Sequence, residues 1–125
     1  MKYLLDTHVI LWWLTEPEKI APKARKIIAD RDNEIYVSSV SFWEMAIKQS
    51  IGKLTLTNNI LEILIAEGFF KLLLTPEECL SVANLPLIHQ DPFDRMLIVQ
   101  TKLNDMILIT SDKIIMSYPV ITLKA

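Results

Sequence analysis

Lys2 to Leu5, Ile35 to Val37, Phe69 to Leu74, Met106 to Ile109 and Val120 to Leu123 are short, nearly continuous apolar runs rich in leucine, β-branched and aromatic residues. They lack the apolar/polar alternation of a strand with one wet face. Strands of this kind must be covered on both sides, which is the condition of a parallel sheet between helical layers. Helix-like segments separate them, at His8 to Leu14, Pro22 to Asp30, Ser41 to Ser50, Ile60 to Glu67, Pro76 to Asn84 and Pro92 to Leu103. The pattern therefore predicts an α/β fold, a three-layer α/β/α sandwich around a mostly parallel sheet. With 125 residues, 51% of them hydrophobic and only two glycines, the chain supports one core, so residues 1–125 are read as a single domain. No repeat or linker divides it. Thr15 to Ala21, Gly52 to Asn59 and Pro86 to Asp91 read as loops.

Several classes of protein are excluded early. A single cysteine, Cys79, cannot build a disulfide framework or a thiolate metal site; it reads as a buried structural thiol in a reducing, cytoplasmic setting. Met1 to Leu5 resembles the start of a signal peptide only until Asp6 and His8 interrupt it. No apolar stretch is long enough to cross a bilayer. The formal net charge of −2 gives no general attraction to nucleic acid, so a polyanionic partner would need local cations or a bound metal.

In open parallel sheets ligands bind beyond the carboxyl ends of the strands, which makes the polar residues that follow each apolar run the informative ones. Asp6 directly follows the first run, and Asp112 follows the fourth through Thr110-Ser111. Glu44 lies early in the helix after the second, and Asp94 opens the helix that leads into the fourth. Carboxylates gathered at one edge repel, and a divalent cation relieves that conflict. An oxygen-only set without a Cys or His cluster favours Mg²⁺ or Mn²⁺ over zinc. Such ions promote in-line displacement at phosphorus, so Asp6, Glu44, Asp94 and Asp112 are candidate catalytic and metal-binding residues.

Each acid also has a purely structural reading. Ser41-Phe42-Trp43-Glu44 has the form of a capping box, Asp91-Pro92-Phe93-Asp94 satisfies helix-start rules with Asp91 as the cap, and Asp112 can cap a turn. Asp6 has the weakest structural excuse, and the case rests on the conjunction. His8 and His89 have no partner at ligand spacing and read as surface or packing residues. Trp12, Trp13, Phe42 and Trp43 read as core or interface aromatics. Lys48, Lys53, Arg95 and Lys113 fall near the rim in sequence, and Arg95, beside Asp94, is the first candidate for a phosphate contact.

The segments Leu4-Leu5-Asp6-Thr7-His8, Val37-Ser38-Ser39-Val40-Ser41-Phe42-Trp43-Glu44, His89-Gln90-Asp91-Pro92-Phe93-Asp94-Arg95 and Leu108-Ile109-Thr110-Ser111-Asp112 together resemble the PIN-domain nucleases, in particular VapC-type toxins of toxin–antitoxin pairs. By that resemblance Asp6, Glu44, Asp94 and Asp112 match the family's four acids in order. It also implies a five-stranded parallel sheet, Mg²⁺- or Mn²⁺-dependent endonucleolytic cleavage of RNA, homodimerisation, and inhibition by a VapB-like antitoxin. One departure is that Lys113-Ile114-Ile115-Met116 follows Asp112 where the family often has a bulky aromatic. Two rivals stand beside this reading. An aspartyl-phosphate domain using Asp6 as nucleophile would want a second Asp where His8 stands. A catalytically silent module would bind a partner chain through its apolar surface and use the acids only as caps.

Overall fold

The computed structural model describes all of residues 1–125. Five strands, β1 (Lys2–Leu5), β2 (Glu34–Ser38), β3 (Phe70–Leu72), β4 (Ile107–Thr110) and β5 (Thr122–Lys124), form one sheet in the order β3-β2-β1-β4-β5, with every pairing parallel. Seven helices cover it: α1 (Thr7–Thr15), α2 (Pro22–Ala29), α3 (Ser39–Ser50), α4 (Ile60–Ala66), α5 (Pro76–Ser81), α6 (Pro92–Leu103) and α7 (Lys113–Met116).

The apolar runs explain the layering. Successive residues of a strand point to opposite faces, so Tyr3 and Leu5 join one cluster while Leu4 joins the other. On the first face they meet Val9 and Ile10 of α1, Ala24 and Ile28 of α2 and Leu64 of α4. On the second, Leu4 and Leu108 pack on Leu97, Ile98 and Val99 of α6, with Ile115 and Tyr118. Helix α3 spans both layers, placing Val40 in the second cluster and Met45 in the first. A fully buried aliphatic side chain contributes roughly 1.5–3 kcal/mol. Two such clusters can therefore hold charged strand ends in positions that electrostatics alone would oppose.

The elements differ from the sequence reading mainly at their ends. The Phe69 to Leu74 run yields only three residues of strand, at the sheet edge, and the Thr15 to Ala21 loop contains a 3₁₀ turn over Pro17–Lys19. The segment from Pro76 divides into α5 and a second 3₁₀ turn at Val82–Asn84, and the turn that Asp112 caps is one turn of helix, α7. Cys79 is exposed, contrary to expectation. Thr75 and Glu78 form a reciprocal capping box at the start of α5, which turns Glu78 inward. Cys79, one residue further round the helix, is thereby rotated into solvent.

Candidate active site

Strand order reverses beside β1: the chain adds β2 and β3 on one side of it and β4 and β5 on the other. The crevice beyond the ends of β1 and β4 is where an open parallel sheet binds ligands. Asp6 leaves β1 here at the N-cap position of α1, yet its side chain makes no capping bond. It is 3% exposed. Thr110 Oγ1, at the end of β4, donates to Asp6 Oδ2 at 2.8 Å and accepts from the Asp112 N–H at 3.0 Å. One hydroxyl thus ties together the two strand ends that carry acids.

Glu44 does not cap α3. That helix begins at Ser39, two residues earlier than its sequence suggested, and Ser38 is the cap, accepting from the Val40 N–H. Ser41 therefore lies inside the helix, where its hydroxyl accepts from Thr7 Oγ1 at 2.9 Å. Glu44 falls in the second turn, 3% exposed, with Oε2 accepting from Lys48 Nζ at 2.8 Å. Its other oxygen, Oε1, is buried without any hydrogen-bond partner. An unpaired buried charged oxygen carries a large desolvation penalty, so it needs a cation or a specific reason to persist.

Asp94 sits in the first turn of α6, where Asp91 caps the helix by accepting from the N–H groups of Phe93 and Asp94. Burial, and then the negative charges of Asp6, Asp91 and Glu44, push the Asp94 carboxyl up to about 7, against a smaller opposing effect of its contact with His89. Asp6 is raised as well, first by burial and last by Glu44, with Thr110 and His8 acting in the other direction. These shifts show that Asp6, Glu44 and Asp94 feel one another's charge. A pair of unit charges 4 Å apart repels by about 4 kcal/mol at an effective dielectric of 20. The ion pair of Glu44 with half-exposed Lys48, open to solvent on the lysine side, is a weak compensation for charge of this kind.

Asp112 caps α7 through a 2.8 Å bond from the Ile114 N–H, with buried Ile115 behind it where the sequence lacks an aromatic. Its remaining oxygen lies 3.8 Å from His89 Nε2, and the same nitrogen lies 2.9 Å from Asp94 Oδ2. This corrects the surface or packing role that the sequence suggests for His89: its partner stands five positions away across a helix start and not at a helical ligand spacing. The contact depends on the path of the 86–91 loop into α6. His8 is exposed.

Arg95 has its guanidinium committed elsewhere: Nη1 donates to Pro86 O at 2.8 Å and Tyr118 Oη at 3.2 Å, and Nη2 to Val82 O and Leu85 O at 3.3 Å. A phosphate would compete with four acceptors already in place. Trp12, Trp13 and Phe42 pack against the core, whereas Trp43 is 58% exposed and rests edge-on against Phe93, 5.0 Å between ring centres.

A doubly wound parallel sheet with buried carboxylates at its switch point defines an α/β protein with an acidic catalytic-type crevice. The PIN domain family model matches residues 3–119, and the chain belongs to that family. Over 118 residues, 92% of this chain and 90% of the relative, it is 29% identical to ribonuclease VapC22 of Mycobacterium tuberculosis. It superposes on a chain of VapBC2 from Rickettsia felis, bound to a promoter DNA fragment, with a TM-score of 0.78, 16% identity and coverage of 99% and 98% of the two chains. For DNA-bound VapBC from Salmonella typhimurium the TM-score is 0.69 at 14% identity, again covering 99% and 98%. These superpositions speak for the shared fold.

Proposed function

We propose that this protein is a metal-dependent endoribonuclease and the toxin of a VapBC-type pair, with Asp6, Glu44, Asp94 and Asp112 holding Mg²⁺ or Mn²⁺. The observation that carries this is Glu44 Oε1, buried without a partner, with the Asp6 and Asp94 carboxyls both raised by burial and by neighbouring carboxylate charge, that of Glu44 included. Pure capping residues have no reason to be arranged so, and Glu44 caps nothing. The donor set fits a hard divalent ion, being dominated by carboxylate oxygens.

A bound ion would supply the positive charge that neutralises a phosphate and activates a water for in-line attack. The chain's own contribution is positional. Thr110 fixes Asp6 and the backbone of Asp112 together, Lys48 orients Glu44 so that its second oxygen is left free, and Asp91 holds the first turn of α6 so that Asp94 faces the crevice. Burial keeps competing water away from Asp6 and Glu44. Because the acids themselves repel RNA, binding depends on the cation and on nearby lysines such as Lys48 and Lys113. A ribonuclease relative matched over 90% of its length and VapBC assemblies among the structural neighbours support an RNA substrate and a VapB-like antitoxin, and a homodimer is proposed with them. No helix is long and apolar enough to cross a membrane, and a cytoplasmic setting belongs with this proposal.

The test is cleavage of tRNA and rRNA by purified protein, freed of any antitoxin, in Mg²⁺ or Mn²⁺. Cleavage by wild type that disappears with EDTA and in Asp94→Asn is the expected result. A folded wild-type protein that cuts none of these RNAs in either metal would return the silent binding module to favour.

A further inference from the structure

His89 is held in place by more than its contact with Asp94. Tyr118 Oη accepts from the N–H groups of Ile88 and His89, at 3.0 and 2.6 Å, and Arg95 supports that oxygen while gripping Pro86 O. These donors outweigh the effect of burial and pull the Tyr118 hydroxyl below its ordinary pKa. A loop fixed at three successive points presents the imidazole edge to two acids at once.

A hydrogen bond to Asp94 accounts for the 2.9 Å distance but not for the approach to Asp112 at 3.8 Å. The ligand atoms of His89, Asp94 and Asp112 all lie within 4.8 Å of one another. In an octahedral shell with bonds near 2.1 Å, neighbouring donors stand about 3 Å apart and opposite donors about 4.2 Å. The 2.9 Å contact with Asp94 matches neighbouring donors, and the 3.8 Å approach of Asp112 lies between the two spacings, a small side-chain movement from either. The unpartnered Oε1 of buried Glu44, on the helix whose Trp43 packs against Phe93 beside Asp94, independently points to a cation at this end of the sheet.

We propose that His89 is a nitrogen ligand of the metal site and tilts its preference from Mg²⁺ toward Mn²⁺, an inference that rests on the carboxylate metal-site reading above. Mg²⁺ takes oxygen donors in a strict octahedron and parts reluctantly with water. Imidazole is better suited to first-row transition ions, which bind mixed nitrogen and oxygen sets in increasing order from Mn²⁺ onward. One imidazole among carboxylates therefore strengthens the site for Mn²⁺ while adding little for Mg²⁺.

The experiment titrates Mn²⁺ into RNA-free wild type, His89→Gln, His89→Ala and His8→Gln, counting free ion by its EPR signal and bound ligands by pulsed EPR. Mg²⁺ affinity is read by competition. Wild type and His8→Gln are expected to show ¹⁴N coupling to bound Mn²⁺. Both His89 variants should lose it, with Mn²⁺ Kd raised about tenfold and Mg²⁺ Kd changed much less. Bound Mn²⁺ without nitrogen coupling in wild type, or coupling that survives in folded His89 variants, overturns the assignment while leaving the carboxylate site standing. Should a His89 variant fail to fold, the wild-type and His8→Gln spectra decide the matter. No bound Mn²⁺ in wild type overturns both this inference and the metal-site reading beneath it.

Discussion

Thr110 Oγ1 donates to Asp6 Oδ2 at 2.8 Å, joining residues 104 positions apart at the ends of adjacent parallel strands. Since that oxygen also accepts from the Asp112 N–H, the hydroxyl is the shared support of two acids. Thr110→Val keeps the shape and removes both bonds, leaving a buried carboxylate oxygen and a backbone N–H without partners. A hydrogen bond to a charged group contributes about 1.5–3 kcal/mol, which for a domain of this size corresponds to a Tm lower by roughly 5–15 °C. Calorimetry in EDTA at neutral pH checks this; an unchanged Tm would mean that the two strand ends are held by the sheet alone.

Asp94 gives a pH dependence whose sign can be worked out. Its folded pKa of about 7 lies above the ordinary 3.8, so between those values the folded state binds more protons than the unfolded chain. Stability of the metal-free protein should therefore fall as pH rises across that window and level off above it. Burial pushes hardest in this direction, followed by Asp6, Asp91 and Glu44, while His89 and Lys48 oppose it. Asp94→Asn removes the titrating group. Its Tm in EDTA at pH 8 should equal that of wild type or exceed it by a few degrees, with a flatter slope from pH 5 to 8. A marked loss of Tm would show that Asp94 serves the N-terminus of α6 and not a cation.

The architecture was legible because strands without alternation have one solution, a covered parallel sheet, and because Asp6 directly follows one such strand and Asp112 closely follows another. Asp91 also capped α6 as its Asp-Pro sequence indicated. What failed was local phase. Ser38, Ser39 and Ser41 offer three possible caps within four residues, and only the length of β2, which runs through to Ser38, selects the first and frees Glu44 from capping. Cys79 was misplaced for the same reason, since the buried position of α5 is taken by Glu78, a residue type that seldom goes inside without partners. Those partners, Gln100 of α6 and Asn104 at its C-terminal cap, are invisible in local sequence. The place of His89 required the path of the 86–91 loop.

Arg95 separates a structural from an RNA-contacting role. Arg95→Lys keeps the charge but cannot match a planar fork that reaches three carbonyls and Tyr118 Oη. We expect a loss of about 2 kcal/mol in stability and faster hydrogen exchange at Ile88 and His89, whose amides lean on Tyr118. Normal exchange and stability together with weaker RNA binding would instead assign the guanidinium to a phosphate.

Lys48 is the sole hydrogen-bond partner of Glu44, and its own pKa is raised chiefly by that bond. In metal-free protein its ammonium offsets part of the crevice's negative charge, but it also repels any cation that enters. Lys48→Met should therefore move two quantities in opposite directions. Without metal, buried Glu44 loses its compensation and stability drops by about 1 kcal/mol, the pair being half exposed on the lysine side. With Mn²⁺ present, the competing charge is gone and the ion binds several-fold more tightly, so the stabilisation by saturating Mn²⁺ exceeds that of wild type. Thermal melts across a Mn²⁺ titration read both effects in one series. A variant that is less stable in EDTA and gains no more from Mn²⁺ than wild type would place the cation out of reach of the Lys48 charge, and so remove Glu44, its hydrogen-bond partner, from the metal set.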